Sequence, residues 1–274
     1  MHDHLSHRST DQVSILRVVD APANRTREGL RVVEDAVRFG WDDRHLTARL
    51  KQVRHRVTAI LSSPAFTRRI NARDTINDVG TDLRTGQEVV RSGLPDLIAA
   101  NFGRVEEGLR TLAECAKVID PTSAEPLEQS RYEIYTLQKA VHSMQRNAKR
   151  LDEARLYVLV DGGKDATAFE ASIRELIGWQ VDVIQFRDKR LNDQQVYYRA
   201  KRLCELTREC AKPNFRTLAV INDRADIAAA VRADGVHVGQ DELPVAAARS
   251  IVGADSLIGV STHNIEQARQ AVLD

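Results

Sequence analysis

Cysteine is scarce in this chain: three residues in 274, at positions 115, 204 and 210. The count is odd and no CxxC spacing occurs, so there is neither a disulfide framework nor a thiolate zinc site. Aromatic residues make up only 5% of the sequence, which leaves the core to valine, isoleucine, leucine and alanine. No apolar run of about 18 residues exists, so no segment reads as a membrane span. The start, Met1 to Gln12, is polar and lacks the apolar stretch of a secretory signal. An excess of one charge is missing too, with 40 basic residues against 39 acidic. Residues 151–274 carry 16 basic and 19 acidic residues, and residues 1–150 carry 24 and 20. Neither half offers a net field for a nucleic acid or an anionic membrane. What remains is a globular composition, 42% apolar and 29% charged, expected in the cytoplasm.

The two halves follow different patterns. In the first, Leu30, Val33 and Val37 recur at helical spacing among charged residues. Thr47 is positioned to cap a second helix that ends at Leu61, before Ser63-Pro64. Asp96 is positioned to cap a third, from Leu97 to about Val118, closed by Asp120-Pro121. Leu127, Ile134, Leu137, Val141 and Met144 mark a long last helix, and no strand pattern precedes residue 150. Glu28-Gly29-Leu30-Arg31 returns 79 positions later as Glu107-Gly108-Leu109-Arg110, and Arg25 returns as Arg104. Internal duplication and chance recurrence of common helix formers both remain open. In the second half, short apolar runs at Leu156–Val160, Val181–Phe186, Leu218–Ile221, Val236–Val238 and Leu257–Val260 alternate with helical stretches. Those stretches are Ala166–Gly178, Asp193–Cys210, Asp226–Arg232, Val245–Val252 and Asn264–Leu273. Strand alternating with helix predicts βαβ units and a parallel sheet. The boundary falls at residue 150, giving a helical domain 1–150 and an α/β domain 151–274.

The polar residues of the second half gather at strand ends. Period two puts Gln185, Arg187 and Lys189 on one face and Ile184 and Phe186 on the other. An arginine inside a barrel is costly without an anion, and a phosphate supplies one; alternatively the strand has ended and both cations are solvated. Asn222 and Asp223 follow the third strand, and Asp241 and Glu242 follow the fourth. Each pair is also an ordinary way to start a helix. Taken together, carboxylates at neighbouring strand ends facing Arg and Lys suit Mg²⁺ with a diphosphate, because Mg²⁺ bridges one or two carboxylates to substrate phosphates. Ser261 can donate to a phosphate or a ring nitrogen. His237 and His263 read as structural and are given no role.

These residues, in this order, resemble the thiamine-phosphate synthase family. The carriers are Gln185-Phe186-Arg187-Asp188-Lys189, Ile221-Asn222-Asp223-Arg224, Ala233 to Asp241, and Gly259-Val260-Ser261-Thr262-His263, within a resemblance covering about residues 154–273. It implies a (β/α)8 TIM barrel that joins hydroxymethylpyrimidine diphosphate to a thiazole phosphate and releases pyrophosphate. By resemblance, Gln185, Arg187, Lys189, Asn222 and Ser261 hold the pyrimidine diphosphate, while Asp223 and Glu242 bind Mg²⁺. The family usually has aspartate at the last position, so Asp241 stays open as the second ligand. The implied partners are small phosphorylated substrates, and a homo-oligomer is left open. Ala23-Asn24-Arg25, Glu28 to Asp35, Arg73-Asp74-Thr75, Asp78 to Thr81 and Ala100-Asn101-Phe102 resemble a helical domain fused ahead of this synthase in some bacterial proteins. A hydroxymethylpyrimidine-phosphate kinase activity has been proposed for that domain. The polar loop Arg73 to Thr81 could hold a phosphate, but no GxxxxGK[ST] loop is present. A docking or dimerisation bundle is the alternative.

A (β/α)8 barrel takes about 200–250 residues, and residues 151–274 supply five βα units. The expectation is therefore an N-terminal all-α bundle followed by a partial TIM barrel, from a longer protein, inactive as it stands. The alternative from another class is a non-catalytic binding or regulatory protein that retains half of a site.

Overall fold

The computed structural model describes residues 3–73 and 91–274. It divides into two units, Met1–Gln145 and Arg146–Asp274. Of the polar loop singled out above, Asp74, Thr75 and Asp78 to Thr81 lie outside the described residues.

The first unit is helical in its described residues: α1 (Asp3–Trp41), α2 (Arg44–Leu61), the short α3 (Pro64–Thr67), α4 (Leu94–Ile119) and α5 (Ala124–Leu151), which runs through the division into the second unit. Leucine and valine recur every three or four residues along each long helix, so each buries one stripe. Leu30, Val33 and Val37 of α1 meet that requirement, as do Leu46, Leu50, Val53 and Val57 of α2, all at most 1% exposed. Two carboxylates are buried with them and are paired, as burial demands. Glu34 accepts from Arg54 Nε at 2.6 Å, and Asp20 takes both the Nε and Nη2 of Arg73.

Two expected caps are corrected. The α2 cap is Asp43, whose Oδ1 accepts from Leu46 N at 2.8 Å, and Thr47 lies in the first turn with its N–H bonded to the Asp43 carbonyl. The aspartate one turn earlier already satisfies the free amides. Likewise α4 begins at Leu94 with Pro95 in its first turn, so Asp96 lies inside the helix. Proline has no N–H to satisfy and fits the opening turn.

The second unit is a parallel sheet in sequence order, β1 (Tyr157–Val160), β2 (Val183–Phe186), β3 (Leu218–Asn222), β4 (Gly235–Val238) and β5 (Leu257–Val260). The helices α6 (Ala166–Gly178), α7 (Asp193–Glu209), α8 (Ala225–Ala230), α9 (Val245–Val252) and α10 (Ile265–Leu273) alternate with them. This is five consecutive βα units of a barrel wall, as expected. Among the described residues β1 and β5 each have one strand neighbour. No described helix is long and apolar enough to cross a membrane.

Register sorts the residues by face. Ile184, Phe186, Ala219, Ile221, Val236 and Val238 pack into the core beneath the helices, where Phe169 of α6 meets Phe186 edge to face at 5.4 Å. The opposite face carries rows that cross the sheet. Leu159, Gln185, Val220, Gly235 and Leu257 form one, and Asn222, His237 and Gly259 lie in the next. The last turns of α5 are tied to the loops before β4 and β5. Arg150 Nη1 donates to the Asp255 carbonyl at 2.8 Å, and Arg146 pairs with the Asp255 carboxylate at 3.1 Å. Asn147 and Leu151 thereby join the wall of the concave face.

Candidate functional site

The concave face encloses a cavity of about 430 Å3. Gln185, Arg187, Asn222 and Ser261, four of the residues expected to hold the substrate, line it together. Period two accounts for this, because Gln185 and Asn222 point opposite to the core-facing Ile184, Phe186 and Ile221.

Gln185 is the buried member, 3% exposed. Its Nε2 donates to Asn222 Oδ1 at 2.6 Å, and its Oε1 accepts from Tyr157 OH at 2.8 Å. The chain fixes every amide orientation: with Oδ1 occupied, Asn222 presents its NH₂ as a donor. Burial pushes the Tyr157 phenol up to about 12, so it stays protonated and donates. Tyr157 was not singled out in the sequence. Its signal was its parity, since it sits two residues before Leu159, which pairs with Gln185.

Arg187 and Lys189 are both exposed. Arg187 N continues the ladder to the Val160 carbonyl at 2.8 Å, whereas Lys189 lies beyond the strand and does not line the cavity. Arg187 is thus exposed at the cavity wall and Lys189 is exposed outside it. Neither forms an ion pair with a described residue, and both act electrostatically on Asp223.

Neither Asn222 nor Asp223 caps α8: its N-cap is Arg224, with no side-chain capping bond. Asp223 adopts φ 61, and its N–H donates to the His237 carbonyl at 2.7 Å. A left-handed backbone is costly for a residue with a Cβ and persists where surrounding contacts hold it. Burial, and then the Glu242 carboxylate, push the Asp223 carboxyl above its usual range, against the pull of Lys189, Arg187 and His237. Asp241 is absent from that set of charges. Glu242 folds back over Gly239, where a Cβ would collide with its carboxylate. Of the two adjacent acids, Glu242 is the one whose charge acts on Asp223.

Two carboxylates that interact, with two cations acting on the same group, are a donor set suited to a hard divalent ion, and Mg²⁺ usually takes only one or two protein carboxylates beside phosphates and water. No cluster of three or more His, Cys, Asp or Glu that could hold a metal occurs among the described residues. The residues present therefore fit Mg²⁺ shared with a phosphate ligand, not a metal held by protein alone.

His237 lies in the wall of the cavity and shares a hydrogen bond with Ser261 Oγ at 2.9 Å. Burial lowers its basicity, against the opposing pull of the Asp223 carboxylate. Gly259 makes room for the ring: a Cβ there would strike His237 Nδ1. His263 is exposed and does not line the cavity. Asp188, which the sequence reading left without a role, is a strut. It accepts from Gly162 N at 2.9 Å and from Arg190, which holds its carboxyl well below the usual range.

The raised Asp223 carboxyl has a consequence for stability. A carboxyl easier to protonate in the folded chain opposes folding while ionised, and that cost disappears as pH falls through its folded value. Asp223→Asn is therefore expected to melt higher than the wild type at pH 7. The gap should close as pH approaches 4, as read by thermal unfolding across pH. A lower melting temperature for the variant at pH 7 would contradict this.

The model of the thiamine monophosphate synthase family matches residues 156–274, and that of the ThiD2 family matches residues 17–140. Thiamine-phosphate synthase of Rhodopirellula baltica is 42% identical over 262 residues, covering 94% of this chain and 68% of the relative. Thiamine-phosphate synthase of a Synechocystis species is 38% identical over 261 residues, covering 95% and 72%. Among solved structures, thiamine phosphate pyrophosphorylase from Pyrococcus furiosus is 32% identical over 46% of this chain and 56% of that one, with a TM-score of 0.37.

Proposed function

The chain belongs to the thiamine-phosphate synthase family, and on that premise we propose that the concave face of the sheet binds hydroxymethylpyrimidine diphosphate for transfer to a thiazole phosphate. In that reaction the methylene C–O bond breaks, and its electron pair leaves with pyrophosphate. The thiazole nitrogen then forms the new C–N bond, giving thiamine phosphate. The observation that carries the reading is the Tyr157–Gln185–Asn222 chain, which lines the cavity wall beside Arg187.

Each residue has a defined task in this reading. Gln185 sits deepest and is held by Tyr157, so it sets the position of the pyrimidine. Arg187 offers a forked set of donors and Lys189 a point charge to the diphosphate. Both are solvated without ligand, so binding exchanges water for phosphate oxygens and breaks no existing ion pair. Asn222 directs its NH₂ to the same group, and Ser261, oriented by His237, adds a hydroxyl. Asp223 and Glu242 would hold Mg²⁺, which supplies charge neutralisation for the leaving diphosphate. The cations act where negative charge grows as the bond breaks, which is where preorganised charge accelerates a reaction. No protein nucleophile is required. Residues 1–150 are then a ThiD2-type helical domain placed ahead of a synthase-type domain at 151–274.

The test is calorimetric titration of the pyrimidine diphosphate into the chain and into Gln185→Leu. The variant breaks the amide chain while keeping side-chain bulk, and is expected to lose roughly tenfold in affinity. An unchanged affinity would remove Gln185 from the site.

A further inference from the structure

The helical unit has a second cavity, of about 610 Å3, between α1 and α4. Every position that α1 gives to its wall has a counterpart 79 positions later on α4, and three of the five pairs carry the same residue. Arg25 pairs in this way with Arg104, Glu28 with Glu107, and Gly29 with Gly108. Packing repeats with the same offset. A Cβ on Gly29 would lie 2.9 Å from Val105 Cγ2 and 3.1 Å from the Asn101 carbonyl. A Cβ on Gly108 would strike Thr26 Oγ1 and lie 3.2 Å from the Pro22 carbonyl. Thr26 and Pro22 are themselves 79 positions before Val105 and Asn101. The cavity therefore sits on a local two-fold axis that relates α1 to α4, which favours duplication over chance recurrence.

Packing explains some of the identities between the two helices and not others. Gly29 and Gly108 let the helices approach, and Leu30 and Leu109 are buried. Arg31 is engaged with Asp35 at 3.0 Å, and Arg110 acts on Glu114. Arg25, Arg104, Glu28 and Glu107 are exposed, and none has an ion pair or a side-chain hydrogen bond among the described residues. Surface charges with no structural partner are free to differ between two copies of a repeat. These are retained in both, and all four face one cavity.

The charges define what would fit. Two guanidinium groups from opposite walls suit a phosphate, which takes forked donors on several oxygens. Two carboxylates beside them suit an ammonium group. The four sum to zero, which disfavours a bare polyanion, and the volume is that of a small-molecule site. We propose that this cavity binds a small zwitterionic phosphate, with Arg25 and Arg104 on the phosphate and Glu28 and Glu107 on the ammonium group. The proposal does not depend on the reading of the barrel.

The test uses the full chain carrying Arg187→Ala and Lys189→Ala, so that the barrel cations do not contribute. O-phosphoethanolamine and inorganic phosphate are titrated calorimetrically. Phosphoethanolamine is expected to bind more tightly than phosphate. Arg25→Gln and Arg104→Gln should each weaken it by roughly tenfold. Glu28→Gln with Glu107→Gln should erase the preference over phosphate, and Arg31→Gln with Arg110→Gln should change nothing. Absence of binding by both probes overturns the proposal, as does equal weakening in the Arg31 and Arg110 variants.

Discussion

Replacing Arg187 and Lys189 together by alanine is expected to weaken binding of the pyrimidine diphosphate by about 10²–10⁴-fold, with no change in thermal stability. A charge-assisted hydrogen bond contributes roughly 1.5–3 kcal/mol, and each 1.4 kcal/mol is about tenfold in affinity. Stability should not follow, because both side chains are exposed and form no ion pair with a described residue. Calorimetry and a melting curve on the same preparations separate the two effects. A loss below about tenfold would assign the diphosphate elsewhere. A parallel drop in melting temperature would make the cations structural.

Gly235→Val is expected to destabilise the α/β unit by about 3 kcal/mol. Gly235 pairs with Leu257 in the row that also contains Gln185. A Cβ there would lie 2.6 Å from the Leu257 carbonyl oxygen and 2.7 Å from Leu257 Cβ. Backbone cannot rotate away as a side chain can, so β4 and β5 must separate. His237 lies two residues further along β4, and its bond to Ser261 of the neighbouring strand end should be lost as well. Urea unfolding gives the stability change, and pyrimidine diphosphate binding gives the loss at the site. A variant as stable as the wild type would show that the two strands tolerate a wider spacing.

Much of the α/β half was legible because its two periods differ. The bounds of α6 and α9 are those expected from the sequence; the apolar runs contain β1, β2 and β5, while β3 extends one residue further, to Asn222, and β4 begins one residue earlier, at Gly235. Parity alone put Gln185 and Arg187 on one face. It carried no information on where β2 ends, and so left the exposure of Arg187 and Lys189 open. The same parity, extended one strand back, contained Tyr157. An exposed tyrosine at a strand start gives no sign of its hydrogen bond, which exists only once β1 and β2 are in register. Asp241 and Glu242 were inseparable because they sit in a loop without a period. The loop brings the Glu242 carboxylate over Gly239, which no period in the sequence signals. The displaced starts of α2 and α4 have one cause: several residues satisfied the local rule, and in each helix one before the expected cap, Asp43 or Pro95, sits at the opening turn.

Mg²⁺-dependent binding of hydroxymethylpyrimidine diphosphate to the wild type and to Asp223→Ala is the most direct test of the concave face as the substrate site. The account predicts that Mg²⁺ tightens binding to the wild type by at least roughly tenfold and leaves binding to the variant unchanged. Binding to the wild type that ignores Mg²⁺, or an equal Mg²⁺ effect in both chains, would contradict it.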